Sequence, residues 1–221
     1  MNIYFIKIHD IYSLSKDMLT HHANKKLNTT THPSRIHQII FSDLLVQYAL
    51  YKNQGHKKPL NITYNINGKP LISTHSFNVS NCKEWVMCAY NDNGEIGVDI
   101  ERYKPFNLGL AKYFYTNDEV KKMMSLKADS KDTYFIDTWT FKESYVKCKG
   151  GKILDIKNEI NTPFTYSYFV KSKTKIHGES LYFIRGFIED YGWCLISTEN
   201  FHRFRIQIVN YEELIQTLHQ N

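Results

Sequence analysis

Five residues constrain this chain more than any others. Gly97-Val98-Asp99-Ile100-Glu101 alternates apolar with acidic side chains. A strand with one buried and one open face accommodates that alternation, because side chains along a strand point to opposite sides with a period of two. Val98 and Ile100 then enter a core, while Asp99 and Glu101 share the other face. Two carboxylates held side by side repel each other and lose hydration. Two solutions fit: an edge strand whose acidic face is solvated, or a hard divalent cation such as Mg²⁺, which takes oxygen ligands. The five residues alone do not choose between them.

The 221 residues suffice for one large or two small domains, and a hydrophobic content of 42% supports a core. No run of eighteen apolar residues occurs, so no membrane partner is expected. The first ten residues read as a strand and lack the basic region, apolar run and cleavage site of a signal peptide, so the expected location is cytoplasmic. Cys82, Cys88, Cys148 and Cys194 show no CxxC spacing, which argues against zinc and a disulfide framework. The net charge of +6 suits an acidic partner, and equally suits plain solubility.

Periodicity and turn residues predict strands at 3–11, 61–66, 85–90, 95–101, 164–171, 180–189, 192–198 and 204–209. Helices are predicted at 16–27, 34–51, 108–115, 132–147 and 211–218. Asn91-Asp92-Asn93-Gly94 is a hairpin signal between strands 85–90 and 95–101. Thr116 with Glu119 forms a capping-box pattern, and Gly150-Gly151 stops the long helix. Helices followed by a hairpin occur twice, at 85–101 and 181–199. This reads as an α+β fold with a duplicated unit, halves 1–104 and 105–221, and a break near 103–107.

A second acidic signal lies on helix 132–147. At 100° per residue, Phe135, Ile136, Trp139 and Val146 fall on one arc, with Glu143 inside it and Lys147 one turn beyond. An ordinary Glu–Lys pair at i, i+4 accounts for Lys147. It accounts poorly for apolar neighbours around a carboxylate. A third acid meeting Asp99 and Glu101 would complete a Mg²⁺ site with positions open to substrate oxygens.

Gly97–Glu101, followed some forty residues later by Trp139-Thr140-Phe141-Lys142-Glu143-Ser144-Tyr145-Val146-Lys147, resembles the 4′-phosphopantetheinyl transferase superfamily. The resemblance is to the larger, monomeric members that activate nonribosomal peptide and polyketide synthases. Asn67-Gly68-Lys69-Pro70, Phe77-Asn78-Val79-Ser80 and Tyr113-Phe114-Tyr115 leading to Glu119 match further family blocks. The resemblance implies two similar α/β subdomains related by pseudo-twofold symmetry, with coenzyme A as co-substrate between them. It implies transfer of the phosphopantetheine arm to a serine of an apo carrier protein, releasing adenosine 3′,5′-bisphosphate.

On that resemblance Asp99, Glu101 and Glu143 hold Mg²⁺, with Mn²⁺ also suited to oxygen donors. Glu143 takes the serine proton, and Lys147 and Lys142 stabilise phosphates and leaving group. Gly68, Lys69, Ser80 and Asn81 line coenzyme A, with Lys25 and Lys26 near its 3′-phosphate. Glu119 either stands near a metal-bound water or only caps its helix. The carrier is expected to be acidic around its serine helix and to dock at 104–115, with Phe114 or Leu110 inserting. Two departures remove positive charge: Asn81 stands where the family usually has histidine, and Gln38 where many relatives have arginine. Rival readings are a Mg²⁺-dependent nuclease, a nucleic-acid-binding protein, and a degenerate coenzyme A-binding protein without turnover. The expectation is no nucleic-acid partner.

Overall fold

The computed structural model describes residues 1–10, 14–55, 62–72, 75–163 and 167–220. Strands β1 (Asn2–Lys7), β4 (Ser76–Cys82), β5 (Trp85–Asn91) and β10 (Arg205–Ile208) form one sheet in the order β10-β1-β5-β4. Strands β6 (Ile96–Arg102), β7 (Ser172–Ile176), β8 (Glu179–Ile188) and β9 (Tyr191–Ser197) form a second, antiparallel throughout, in the order β6-β9-β8-β7. Two short strands, β2 (Thr63–Tyr64) and β3 (Pro70–Leu71), pair separately. The helices are α1 (His21–Leu27), α2 (Pro33–Gln54), α3 (Leu108–Phe114), α4 (Asn117–Ser125), α5 (Ala128–Lys149) and α6 (Tyr211–His219).

Strand alternation sorts the side chains into layers. Ile3 and Phe5 of β1 meet Val98 and Ile100 of β6 and Trp193 of β9 in a core between the sheets. Tyr4 and Ile6 point the other way, onto Phe41, Leu44 and Tyr48 of α2. On the far side, Phe141 and Cys148 of α5 pack on Phe183, Cys194 and Ile196 of the second sheet. Each sheet is built from the same succession: a strand, a 22-residue helix, then a hairpin whose second strand pairs antiparallel with the first strand.

Several expected elements are altered. Strands 85–90 and 95–101 do not form a hairpin with each other. Both edges of β5 are occupied, by β1 and β4, so residues 92–95 cross between sheets and β6 pairs with β9. The helix expected from residue 16 starts at His21, capped by Thr20, after a 3₁₀ turn at Lys16–Met18. The long helix is wider than 132–147, ending where Gly150 adopts φ +67°. Residues 167–170 are not strand, and β7 starts at Ser172. The expected strand ends at residues 11 and 61, and residues 164–166 of the expected strand 164–171, lie outside the described residues. Among the described residues no helix is long and apolar enough to cross a membrane.

Candidate active site

Gly97 explains how α5 comes to lie over β6. A Cβ at this position would fall 2.1 Å from the Ser144 carbonyl oxygen and 2.3 Å from the Cys148 nitrogen. The missing side chain lets helix backbone rest directly on the strand. Ser144 Oγ pins the same turn by donating to the Cys194 carbonyl, 2.9 Å away on β9. From Tyr134 to Cys148, every residue of α5 is buried except Trp139, Glu143 and Lys147, spaced four apart. Glu143 therefore does not share an apolar arc, as its sequence neighbours suggested. The helix is buried almost all round, by the second sheet and by α4, and Glu143 lies on its one partly open stripe.

That stripe faces the acids of β6. Lys147 Nζ donates to Asp99 Oδ1 at 2.6 Å and to Ser80 Oγ at 2.9 Å, and Ser80 Oγ donates to Asp99 Oδ1 at 2.9 Å. Asp99 is 3% exposed, and its Oδ2 is buried with no hydrogen-bond partner. Burial, then the charge of Asp99, pushes the carboxyls of Glu143 and Glu101 above the usual range. Glu101 Oε2 also accepts from Cys82 Sγ at 3.3 Å, and the thiol, buried beside that carboxylate, is pushed up to about 12.

Among the described residues no three His, Cys, Asp or Glu side chains form a ready-made metal cluster. The donor set nevertheless suits a hard cation. A buried carboxylate oxygen lacks a hydrogen-bond partner, and two neighbouring carboxyls are raised by burial and by the charge of Asp99.

A pocket of about 240 Å³ opens on the other side of β4. Its lining includes His22, Lys26, Arg35, Tyr64, Gly68 and Asn81. The rings of His22 and Tyr64 stack at 4.0 Å. Burial and the charge of Arg35 lower the Lys26 ammonium, partly opposed by the carboxylate of Asp43, which also lines the pocket. Asn81 donates to Ser42 Oγ at 3.0 Å. Adjacent residues of β4 thus address both places: Ser80 the acids, Asn81 the pocket. Lys25 is exposed and does not line the pocket.

Three expected site residues lie elsewhere. Lys142 is wholly buried, paired with Glu119 at 2.9 Å and donating to the Ile160 carbonyl, so its ammonium is not free to meet a phosphate. Glu119 completes the capping box with Thr116 and also accepts from the Thr162 amide at 2.7 Å. Lys69 Nζ lies 2.5 Å from the Cys148 carbonyl, at the C-terminal end of α5, rather than in the pocket its neighbour Gly68 lines. Sequence reasoning missed Arg35, His22 and Tyr64. For Arg35 the signal was present: it precedes Gln38 by one helical turn and reaches it at 3.3 Å, on the same face.

The family model of the 4′-phosphopantetheinyl transferase superfamily matches residues 95–195, from just before β6 to the middle of β9. The segment that carries both carboxylates of β6 and the stripe of α5 is thus similar to that superfamily. Two relatives from Bacillus subtilis, 4′-phosphopantetheinyl transferase ffp and, in strain 168, 4′-phosphopantetheinyl transferase Sfp, are 34% and 33% identical over 124 residues. These alignments cover 54% of this chain and 54% of each relative. 4′-Phosphopantetheinyl transferase psf-1 of Bacillus pumilus is 37% identical over 90 residues, 39% of this chain and 38% of the relative. The chain thus spans about half the length of the curated relatives it matches. The superfamily segment contains Asp99, Glu101, Glu143 and Lys147, whereas the pocket lies largely upstream of it.

Proposed function

We propose that this chain transfers the 4′-phosphopantetheine arm of coenzyme A to a serine of an apo carrier protein; the relatives it matches are named 4′-phosphopantetheinyl transferases. The carrying observation is the pair Ser80 and Asn81. One ligand laid along β4 reaches the carboxylate–lysine cluster with its pyrophosphate and the cationic pocket with its nucleotide end.

The serine oxygen attacks the phosphorus next to pantetheine. A P–O bond forms there, the pyrophosphate P–O bond breaks, and adenosine 3′,5′-bisphosphate carries away the electron pair. Glu143, on the open stripe of α5, accepts the serine proton. Lys147 opposes the charge growing on the pyrophosphate oxygens. Asp99, Glu101 and Glu143 would hold Mg²⁺ or Mn²⁺, which when bound neutralises pyrophosphate charge. Lys26 and Arg35 take the 3′-phosphate, and Arg35 returns the positive charge that Gln38 lacks. Asn81 contributes only a neutral hydrogen bond where a charged histidine is usual.

In this reading the two strand–helix–hairpin units are related by pseudo-twofold symmetry, in halves 1–104 and 105–221 with coenzyme A between them. The enzyme acts as a cytoplasmic monomer in activation of nonribosomal peptide or polyketide synthases. The carrier's acidic serine helix docks against α3, where Leu110 and Tyr113 are exposed and Lys112 adds charge. Chromatographic release of adenosine 3′,5′-bisphosphate tests the reaction: release should require both coenzyme A and an apo carrier. Release without carrier, or cleavage of an oligonucleotide with Mg²⁺, would instead favour a hydrolase or nuclease.

A further inference from the structure

One turn of chain has two working faces. Residues Asn65 to Lys69 form a tight loop in which Asn65 Oδ1 accepts from the Asn67 amide at 3.0 Å and the Lys69 amide at 2.8 Å. The Asn65 and Lys69 backbones also bond, at 3.0 Å, and Gly68 closes the turn at φ +83°. On one face, Gly68 and Pro70 line the cationic pocket. On the other, three side chains reach the end of α5. Asn65 Nδ2 and Asn67 Nδ2 donate to the Gly150 carbonyl at 3.1 and 2.8 Å, and Lys69 Nζ donates to the Cys148 carbonyl.

A helix leaves its last carbonyls without intrahelical partners, and its C-terminus carries partial negative charge. Here the Val146 and Lys147 carbonyls are met by the Gly151 and Gly150 amides, at 3.0 and 3.3 Å. The Cys148 and Gly150 carbonyls are met by this loop, some eighty residues upstream. The turn so capped contains Lys147, whose ammonium holds Asp99.

We infer that Lys69, with Asn65 and Asn67, is a positioning residue: it fixes the last turn of α5, and with it Lys147, from the wall of the pocket. This rests on the transferase reading above. It assigns Lys69 to the helix end rather than to a phosphate of the ligand. A nucleotide pressed against Gly68 then stiffens the turn that carries Lys147.

The test uses the full chain with Lys69→Met, Asn65→Ala and the conservative Lys69→Arg. Amide hydrogen exchange is followed at residues 146–151, and steady-state transfer is measured with coenzyme A and an apo carrier. Lys69→Met should speed exchange in that segment and lower kcat by about tenfold, with KM for coenzyme A changed less than about twofold. Asn65→Ala should show the same pattern, and Lys69→Arg should restore both readouts. A rise in KM of about tenfold at unchanged kcat would overturn the inference, marking Lys69 as a ligand contact. So would unaltered exchange at 146–151. If the wild type transfers nothing, the transferase reading fails, and the exchange measurement still decides the cap by itself.

Discussion

The Lys147 ammonium lies 2.6 Å from Asp99 Oδ1, joining residues 48 apart in sequence across the face where α5 meets β6. It is the cation that compensates the buried Asp99 carboxylate in the ligand-free chain. Lys147→Met leaves that carboxylate with Ser80 alone. Because the ammonium is partly in water, the expected loss is about 1–3 kcal/mol, read as a lower urea midpoint. Under the proposed function, transfer should fall by about 10²–10³-fold, since the same ammonium would face the developing phosphate charge. Near-normal turnover in this variant would remove Lys147 from the mechanism.

Glu143 is destabilised by ionising, because burial and the Asp99 charge raise its carboxyl in the folded chain. For an acid raised on folding, the unfolded chain gives up its proton first. The penalty is therefore absent below the ordinary glutamate range, about pH 4, and grows as pH rises through the folded value. Glu143→Gln should accordingly raise Tm at pH 7–8 by about 2–4 °C in the absence of divalent cation, and the difference should vanish at acid pH. Mg²⁺ should raise the Tm of the wild type more than that of the variant. Scanning calorimetry across pH and Mg²⁺ concentration checks both signs.

Gly97→Ala places a methyl group inside the backbone of α5, against Ser144 and Cys148. Backbone cannot rotate away as a side chain can, so the helix must lift. The expected cost is about 1–3 kcal/mol or more, with activity lost alongside stability because Glu143 and Lys147 move with the helix. Denaturant unfolding and transfer rate, measured on one preparation, should fall together.

Lys142 and Glu119 form a buried pair at 2.9 Å, and burial lowers the lysine. Removing one partner strands the other, so Lys142→Met alone should cost about 3–5 kcal/mol. The double variant Lys142→Met, Glu119→Gln should recover much of that loss. In the double variant the KM for coenzyme A should stay within about twofold of the wild type, because this lysine meets no phosphate. A KM raised tenfold or more would contradict that placement.

The strand at Gly97–Glu101 and the long helix were legible because each depends on local periodicity, and the helix stop at Gly150 on one residue's conformational freedom. The partner of β6 was not legible. Asn91–Gly94 has hairpin composition, yet one edge of β5 is taken by the preceding strand β4 and the other by β1, some eighty residues upstream, a tertiary fact that turn residues do not report. Lys142 and Lys147 look equivalent in sequence, two lysines flanking one glutamate. They diverge because a step of one residue turns a helix by 100°, and five residues carry Lys142 to the side of Glu119 and Lys147 to the side of Asp99. Arg35 was not legible as a pocket residue: its place one turn before Gln38 can be read from the sequence, but carries no local mark of the pocket it lines.

Intact mass of an apo carrier protein, after incubation with this protein, coenzyme A and Mg²⁺, tests the proposed activity most directly. A gain equal to one phosphopantetheine arm, abolished by Glu143→Gln and by chelation of the cation, is the predicted result. No gain on any of several carriers that a competent transferase converts in parallel would contradict it.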